Sequence, residues 1–239
     1  MKKTKGLFYF ILVLAAVVLV GAACIALLGP GGTQEEVSHT PRVDVIEIAG
    51  TIATEGGGYD HQWTLQFLDQ ITADPNSLGL VVSIDSSGGS VYAAQELYEK
   101  LSAYRQTGRP VYISLQEYGA SAAYYIAMAG QFVSASPSTI TGSIGVRMGT
   151  YLDYSGYLEL NGIRAVDITS GEYKNTGSPY HAMTEEERAI LQALVDESYE
   201  DFVKVVAQGR SLPESRVREL ADGRIYSGSQ ALSLGLVDR

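Results

Sequence analysis

The sequence predicts an α/β protein built on a mainly parallel sheet. Apolar runs of strand length alternate with stretches whose apolar residues recur at helical spacing, which is the arithmetic of βαβ units. One run, LGLVVSID at 78–85, is apolar enough to be buried on both faces, as strands of parallel sheets are. The 239 residues are 46% hydrophobic and 18% charged, which excludes a disordered or collagen-like chain and allows a sizeable core.

Each element follows from local pattern. VDVIEIAG (43–50) alternates and reads as a strand, and LGLVVSID follows as the second. Val91, Ala94, Leu97, Tyr98, Leu101 and Tyr104 recur at helical spacing; PVYISL (110–115) is a strand and Ala120 to Gly130 a short helix of small residues. TGSIGV (141–146) and RAVDITS (164–170) read as further strands. The longest helix is expected from Glu185 to Gln208, because Thr184 and Glu187 form a capping box and Ile190, Leu191, Leu194, Val195, Phe202, Val203 and Val206 form one apolar stripe. Gly209 is expected to stop it. That stripe has two readings, a cover for the sheet or a contact between subunits. A short helix after Ser211-Leu212-Pro213 and another near Gln230 to Leu234 close the chain, without internal repeats.

Ahead of the folded domain, Leu7 to Leu28 is a charge-free run of 22 residues, long enough to cross about 30 Å of hydrocarbon. It reads as a transmembrane anchor, with Lys2, Lys3 and Lys5 in the cytoplasm and everything after Pro30 on the outer side. A signal peptide cleaved near Ala22 and Ala23 is the alternative. A lipoprotein reading through Cys24 has less behind it, since Gly21 stands where that motif usually has leucine. The organisation is thus tip and anchor at 1–29, a Gly- and Pro-rich stalk at 30–42 and one domain at 43–239. Beyond Lys5 the chain holds 14 basic against 27 acidic residues, a surface that repels phosphate and excludes nucleic acid as a partner. A single cysteine excludes an intrachain disulfide, and three scattered histidines (His39, His61, His181) give no zinc pattern and no cofactor site.

Three segments could carry chemistry: SIDSSGGSV (83–91), EYGASAAYY (117–125) and TGSIGV, each where a strand gives way to a loop or helix. Gly88 and Gly89 can turn sharply and aim N–H groups at an anion, or simply make a tight turn. Ser121 lies at a helix start, where its hydroxyl is either in the positive field of free N–H groups or an ordinary N-cap. Lys174 is the only base in SGEYKNTGSP (170–179), a loop of otherwise small and polar residues, and a solvated surface role is its alternative.

In this order and spacing, the segments resemble the half-length bacterial signal peptide peptidases of the SppA type, serine–lysine peptidase family S49, related in fold to Clp protease and crotonases. The likeness also takes in the SGxYK loop, TEEERAILQALVDESYEDFV and DGRIYSGSQALSLGLVD. It implies a ClpP/crotonase-like spiral of βαβ units and a serine peptidase without histidine. Ser121 would be the nucleophile, Lys174 the general base and Ser143 the hydroxyl that orients the lysine. Backbone N–H groups of Gly88 or Gly89 and of Ala122 would form the oxyanion hole. The implied partners are peptides such as signal-peptide remnants, the bilayer of a bacterial cell through residues 7–28, and further copies of the chain in a ring or dome, octameric in the family, whose neighbours share Ser and Lys. Ser121 and Lys174 of one chain should then lie too far apart for a bond of about 3 Å. Ala122 and Ala123 depart from the glycines usual after the nucleophile, and Ser87 from a frequent proline, so two added methyl groups should narrow the pocket.

The sequence leaves three rivals. A Ser-His-Asp hydrolase would need His181, seven residues after Lys174. A crotonase-like acyl-CoA enzyme would rely on carboxylates, and a membrane-tethered scaffold would have a dead site.

Overall fold

The strand at Arg42–Ala49, β1, turns Ile46 and Ile48 inward and leaves Val43, Val45 and Glu47 outward, the period-two pattern its sequence carries. This is a computed structural model, and it describes residues 40–239; the apolar run at 7–28 lies outside them. Among the described residues no helix is long and apolar enough to cross a membrane.

β2 (Ser77–Ser86) pairs with β1 in parallel, with Val45 opposite Val81 and Ile48 opposite Ile84. β3 (Val111–Ala120) pairs with β2 on its other side, Ile84 opposite Leu115. Parallel neighbours need crossovers. α1 (His61–Ala73) supplies the first and α2 (Val91–Gln106) the second. α1 was not expected. Asp60 caps it by accepting from Trp63 N–H, and His61, Thr64, Leu65, Leu68 and Ile71 face the core.

β3 runs five residues beyond the strand read from the sequence, and the extra length serves two partners. β4 (Phe132–Ala135) pairs with its first half and β5 (Ile140–Gly142) with its last three residues, both in parallel. β6 (Ile225–Ser227) closes this side antiparallel to β5. The result is the expected mixed α/β architecture on a mainly parallel sheet.

α3 (Ala122–Ala127) follows β3 directly and is fully buried. Tyr124, the third residue of that helix, donates its hydroxyl to Leu236 O at 2.6 Å, and Asp238 accepts from Val133 N–H at 2.7 Å, so residues 236–238 are woven into the layer beneath the site. α4 (Ser155–Leu160) lies in an outlying segment, and α5 (Glu185–Arg210) has both hydrogen bonds of the Thr184–Glu187 capping box. α6 (Glu214–Leu220) and α7 (Gly228–Ser233) are the two short helices near the end.

Several expectations need correction. RAVDITS is not a strand: it pairs with nothing among the described residues, and Ile168 is 97% exposed. TGSIGV is a strand only as far as Gly142, because Ser143 turns to φ 50° and its N–H goes to Arg224 O. Gly209 does not stop α5. The helix ends at Ser211 in the left-handed conformation, and Gly209 is small because any Cβ there would come 2.9 Å from Met128 Cβ. The stripe of α5 divides in two. Phe202, Val203, Val205 and Val206 are in the core, whereas Ile190 and Leu194 are exposed.

Candidate active site

The site is built where β3 ends. Ser121 takes φ 55° and ψ −124°, a region that costs a non-glycine residue about 1–3 kcal/mol. Two backbone bonds hold it there: Ser121 N–H donates to Gly142 O at 2.8 Å, and Tyr125 N–H to Ser121 O at 3.0 Å. Ser121 occupies the N-cap position of α3 yet makes no side-chain cap hydrogen bond. The plain N-cap reading therefore fails, and the residue lines a cavity of about 430 Å³.

Gly88 sits against it. At φ 118° a Cβ would come 2.7 Å from Ser121 Cβ and 3.1 Å from its Oγ, so only glycine fits. Its N–H donates to Ser86 Oγ at 3.1 Å and is already engaged. Gly89 is placed differently. Ile52 N–H donates to Gly88 O (3.0 Å) and Ser90 N–H to Ile52 O (2.7 Å), a parallel bridge that leaves Gly89 N–H out, and Gly89 lines the cavity. Of the two glycines, Gly89 is thus the one with a donor to offer. Ala122 also lines the cavity, and as the first residue of α3 it has an N–H without an intrahelical acceptor.

Ser143 faces the same cavity from beyond β5. Lys174 does not. It lies exposed in a turn whose backbone bond is Lys174 N–H to Gly171 O, and no hydrogen bond joins it to Ser121 or Ser143 within the chain. It belongs to an arm, residues 147–183, that folds mainly on itself: Tyr154 N–H donates to Pro179 O, and Asn175 donates to Asp167. The arm's apolar residues Leu160, Ile163, Val166 and Ile168 are exposed.

No described histidine lines the cavity. His181 packs at the base of the arm beside α5, with Nδ1 at 2.9 Å from Ala182 O and Nε2 at 3.7 Å from Glu187, and its pKa is raised chiefly by that backbone carbonyl. His61 is buried between Tyr59 and Glu96. Among the described residues no group of three His, Cys, Asp or Glu side chains could hold a metal ion.

Residues 103–239 match the model of peptidase family S49. The chain belongs to that family. It is 36% identical to a provisionally named signal peptide peptidase SppA from Enterococcus faecium, over 87% of this chain and 62% of the relative, so it spans less than two thirds of that protein. It is also 31% identical to a provisionally named protease of Methanocaldococcus jannaschii (98% of this chain, 78% of the relative) and 47% identical to one of Synechocystis (85% and 71%). In this S49 chain the matched stretch holds Ser121, Ser143 and Lys174, while Gly89, which also lines the cavity, lies before it.

The cavity has an apolar wall that the sequence reading missed. Val91, Ala94, Tyr125 and Phe202 line it, with Tyr125 and Phe202 edge to face at 5.3 Å. Tyr125 donates its hydroxyl to Asp201 at 2.7 Å, and burial first, then this carboxylate, push its pKa well above the ordinary phenol range. The second tyrosine of SAAYY and the aromatic of the α5 stripe were the available signals. Of the two alanines expected to narrow the pocket, only Ala122 reaches it; Ala123 is buried in the core.

Proposed function

We propose that the chain is a membrane-anchored serine endopeptidase with a Ser121–Lys174 dyad completed between subunits. The observation that carries this reading is Ser121 itself: a residue held at positive φ, against a glycine that admits no side chain, on a cavity with Gly89 and Ala122 backbone donors. Ser121 Oγ attacks the peptide carbonyl as a neutral lysine Nζ takes its proton. The carbonyl oxygen, now negative, accepts from Gly89 and Ala122 N–H, each donor contributing about 3 kcal/mol in comparable sites. The lysine returns the proton to the leaving amine, and water then hydrolyses the acyl-enzyme.

Lysine serves as a base only when surroundings of low polarity destabilise its charged form. Lys174 is exposed in one chain, so the reading places it in a neighbour's cavity, where Ser143 of that subunit accepts from it. The exposed apolar residues of the arm and of the first half of α5 support such assembly. In the S49 resemblance it is a ring or dome of eight with a ClpP/crotonase-like spiral in each subunit. The apolar cavity wall supports uncharged, extended peptides as substrates. With the run at 7–28 as an anchor in a bacterial membrane and the domain on its outer side, signal-peptide remnants fit best, in keeping with the name of the Enterococcus relative.

The test has two arms. A fluorophosphonate should label Ser121 in the native protein and not in Ser121→Ala. Co-assembling Ser121→Ala with Lys174→Ala should restore part of the activity that each lacks alone. Two dead variants that stay dead together, or a fully active monomer, would overturn the shared dyad.

A further inference from the structure

Outside the cavity, one chain of polar groups centred on a buried histidine has no part in the chemistry above. His61 is 2% exposed and stands at the first position of α1, facing the core. Tyr59 Oη lies 2.8 Å from its Nδ1, and Glu96 Oε2 lies 3.0 Å from its Nε2. Tyr92 donates its hydroxyl to the other oxygen of Glu96 at 3.0 Å. An ionised carboxylate only accepts, so His61 must donate to it from Nε2, which leaves Nδ1 for the Tyr59 hydroxyl. The hydrogen bond from His61 holds the Glu96 pKa below its usual range, and burial, then the charge of Glu96, pushes Tyr59 up to about 12; both shifts agree with these roles.

What these bonds tie together is informative. The segment from Gly50 to Asp60 has no helix or named strand and contains four glycines, yet its Ile52 is the bridge partner that fixes Gly88 O and Ser90 N–H. Its far end is fastened by Tyr59 and His61 to Glu96 on α2. Ser90, the N-cap of that same helix, follows Gly89 directly. Chain and hydrogen bonds therefore close a ring: Ile52, Tyr59, His61, Glu96, the first turns of α2, Ser90 and Gly89. Packing alone does not ask for an imidazole here, because a buried polar side chain is tolerated only when its bonds are made.

We propose that the Tyr59–His61–Glu96 relay sets the position of the Gly89 amide, which makes His61 a positioning residue for the oxyanion hole. The inference rests on the peptidase reading. An oxyanion donor works only when it sits within 2.7–3.1 Å of where the charge develops, so a small drift of the Ile52 bridge costs turnover without altering how the ground-state peptide binds.

The experiment compares His61→Leu, which breaks both bonds, with His61→Gln, whose amide can donate to Glu96 and accept from Tyr59, in the full chain purified in detergent. Hydrogen exchange is followed by mass spectrometry over 50–60 and 86–92, together with kcat and KM on a small peptide ester and inhibition by a peptidyl boronic acid. For His61→Leu we expect faster exchange in both segments, kcat lower by about tenfold or more with KM within about twofold, and boronate affinity lower by the same factor as kcat. His61→Gln should recover most of each. A folded His61→Leu protein with unchanged exchange at 86–92, or one that loses kcat while holding the boronate as tightly as the native enzyme, overturns the proposal. If the native protein neither turns over the ester nor takes a fluorophosphonate, the peptidase reading fails, and the exchange comparison still decides whether His61 holds the turn.

Discussion

The shelf that carries Ser121 and the arm that carries Lys174 are made in opposite ways. Ser121 is fixed by Gly142 O, by Tyr125 N–H and by the close face of Gly88, in a layer whose neighbouring side chains are almost all buried. The arm from 147 to 183 has one short helix and mostly exposed side chains. In the proposed dyad, one half of the chemistry is finished within a single chain, and the other half is displayed. If that dyad holds, the difference teaches that a rigid nucleophile needs only its own fold, while a lysine that must lose its charge needs surroundings that one chain does not give it.

The comparison breaks most visibly at Lys174. Lys174→Ala and Lys174→Arg should each lower peptidase activity by about 10³-fold or more while leaving the fold of the single chain intact, since within that chain the side chain is exposed and arginine does not deprotonate. An active arginine variant would remove lysine from the mechanism. On the shelf, Gly88→Ala should do the reverse and couple the two losses: about 2–4 kcal/mol of stability by denaturant titration, and activity with it, because the new methyl meets Ser121 Cβ. A well-folded, active Gly88→Ala protein would show that the two backbones need not be so close.

α5 tests the same contrast within one helix. Phe202→Ala should cost about 3–5 kcal/mol, and Ile190→Ala within about 1 kcal/mol, because the first is 4% exposed and the second 41%. Equal losses in a dissociated chain would contradict the division. The smallest effect is the pH dependence at the base of the arm. The pKa of His181 is raised above its usual 6.5, first by its bond to Ala182 O and with a smaller pull from Glu187, so its contribution is complete below about pH 6.5 and is lost as pH rises through the higher, folded value. Hydrogen exchange over 174–184 should quicken across that window in the native chain and show no such step in His181→Gln.

Local signals carried most of what could be read in advance. The Thr184–Glu187 box lies within four residues and formed as written; β1, β2 and α2 likewise follow from periodicities that need no distant partner. α1 escaped notice because Trp63 and Phe67, stacked on each other 5.0 Å apart, place aromatics off the stripe of Leu65, Leu68 and Ile71 and blur its period. Alternation in RAVDITS states only that the segment could pair, and among the described residues no neighbouring strand is there to pair with. Gly209 looks like a terminator in the sequence, but its smallness answers to Met128, a residue 81 positions away. At the site, residue types were legible and directions were not. The choice between Gly88 and Gly89 depends on where Ser86 and Ile52 send their hydrogen bonds.

The bond from Tyr124 to Leu236 spans 112 positions and starts three residues after Ser121. Protein synthesis runs in the opposite sense to that dependence. When Ser121 emerges from the ribosome, the segment that will seat its helix has not been made, and about a hundred residues must follow before Leu236 can accept from Tyr124 and Asp238 can hold Val133. A partly synthesised or prematurely released chain therefore has the serine without its seat. That seat is completed late, only once residues 236–238 have been made and have folded back onto α3 and β4.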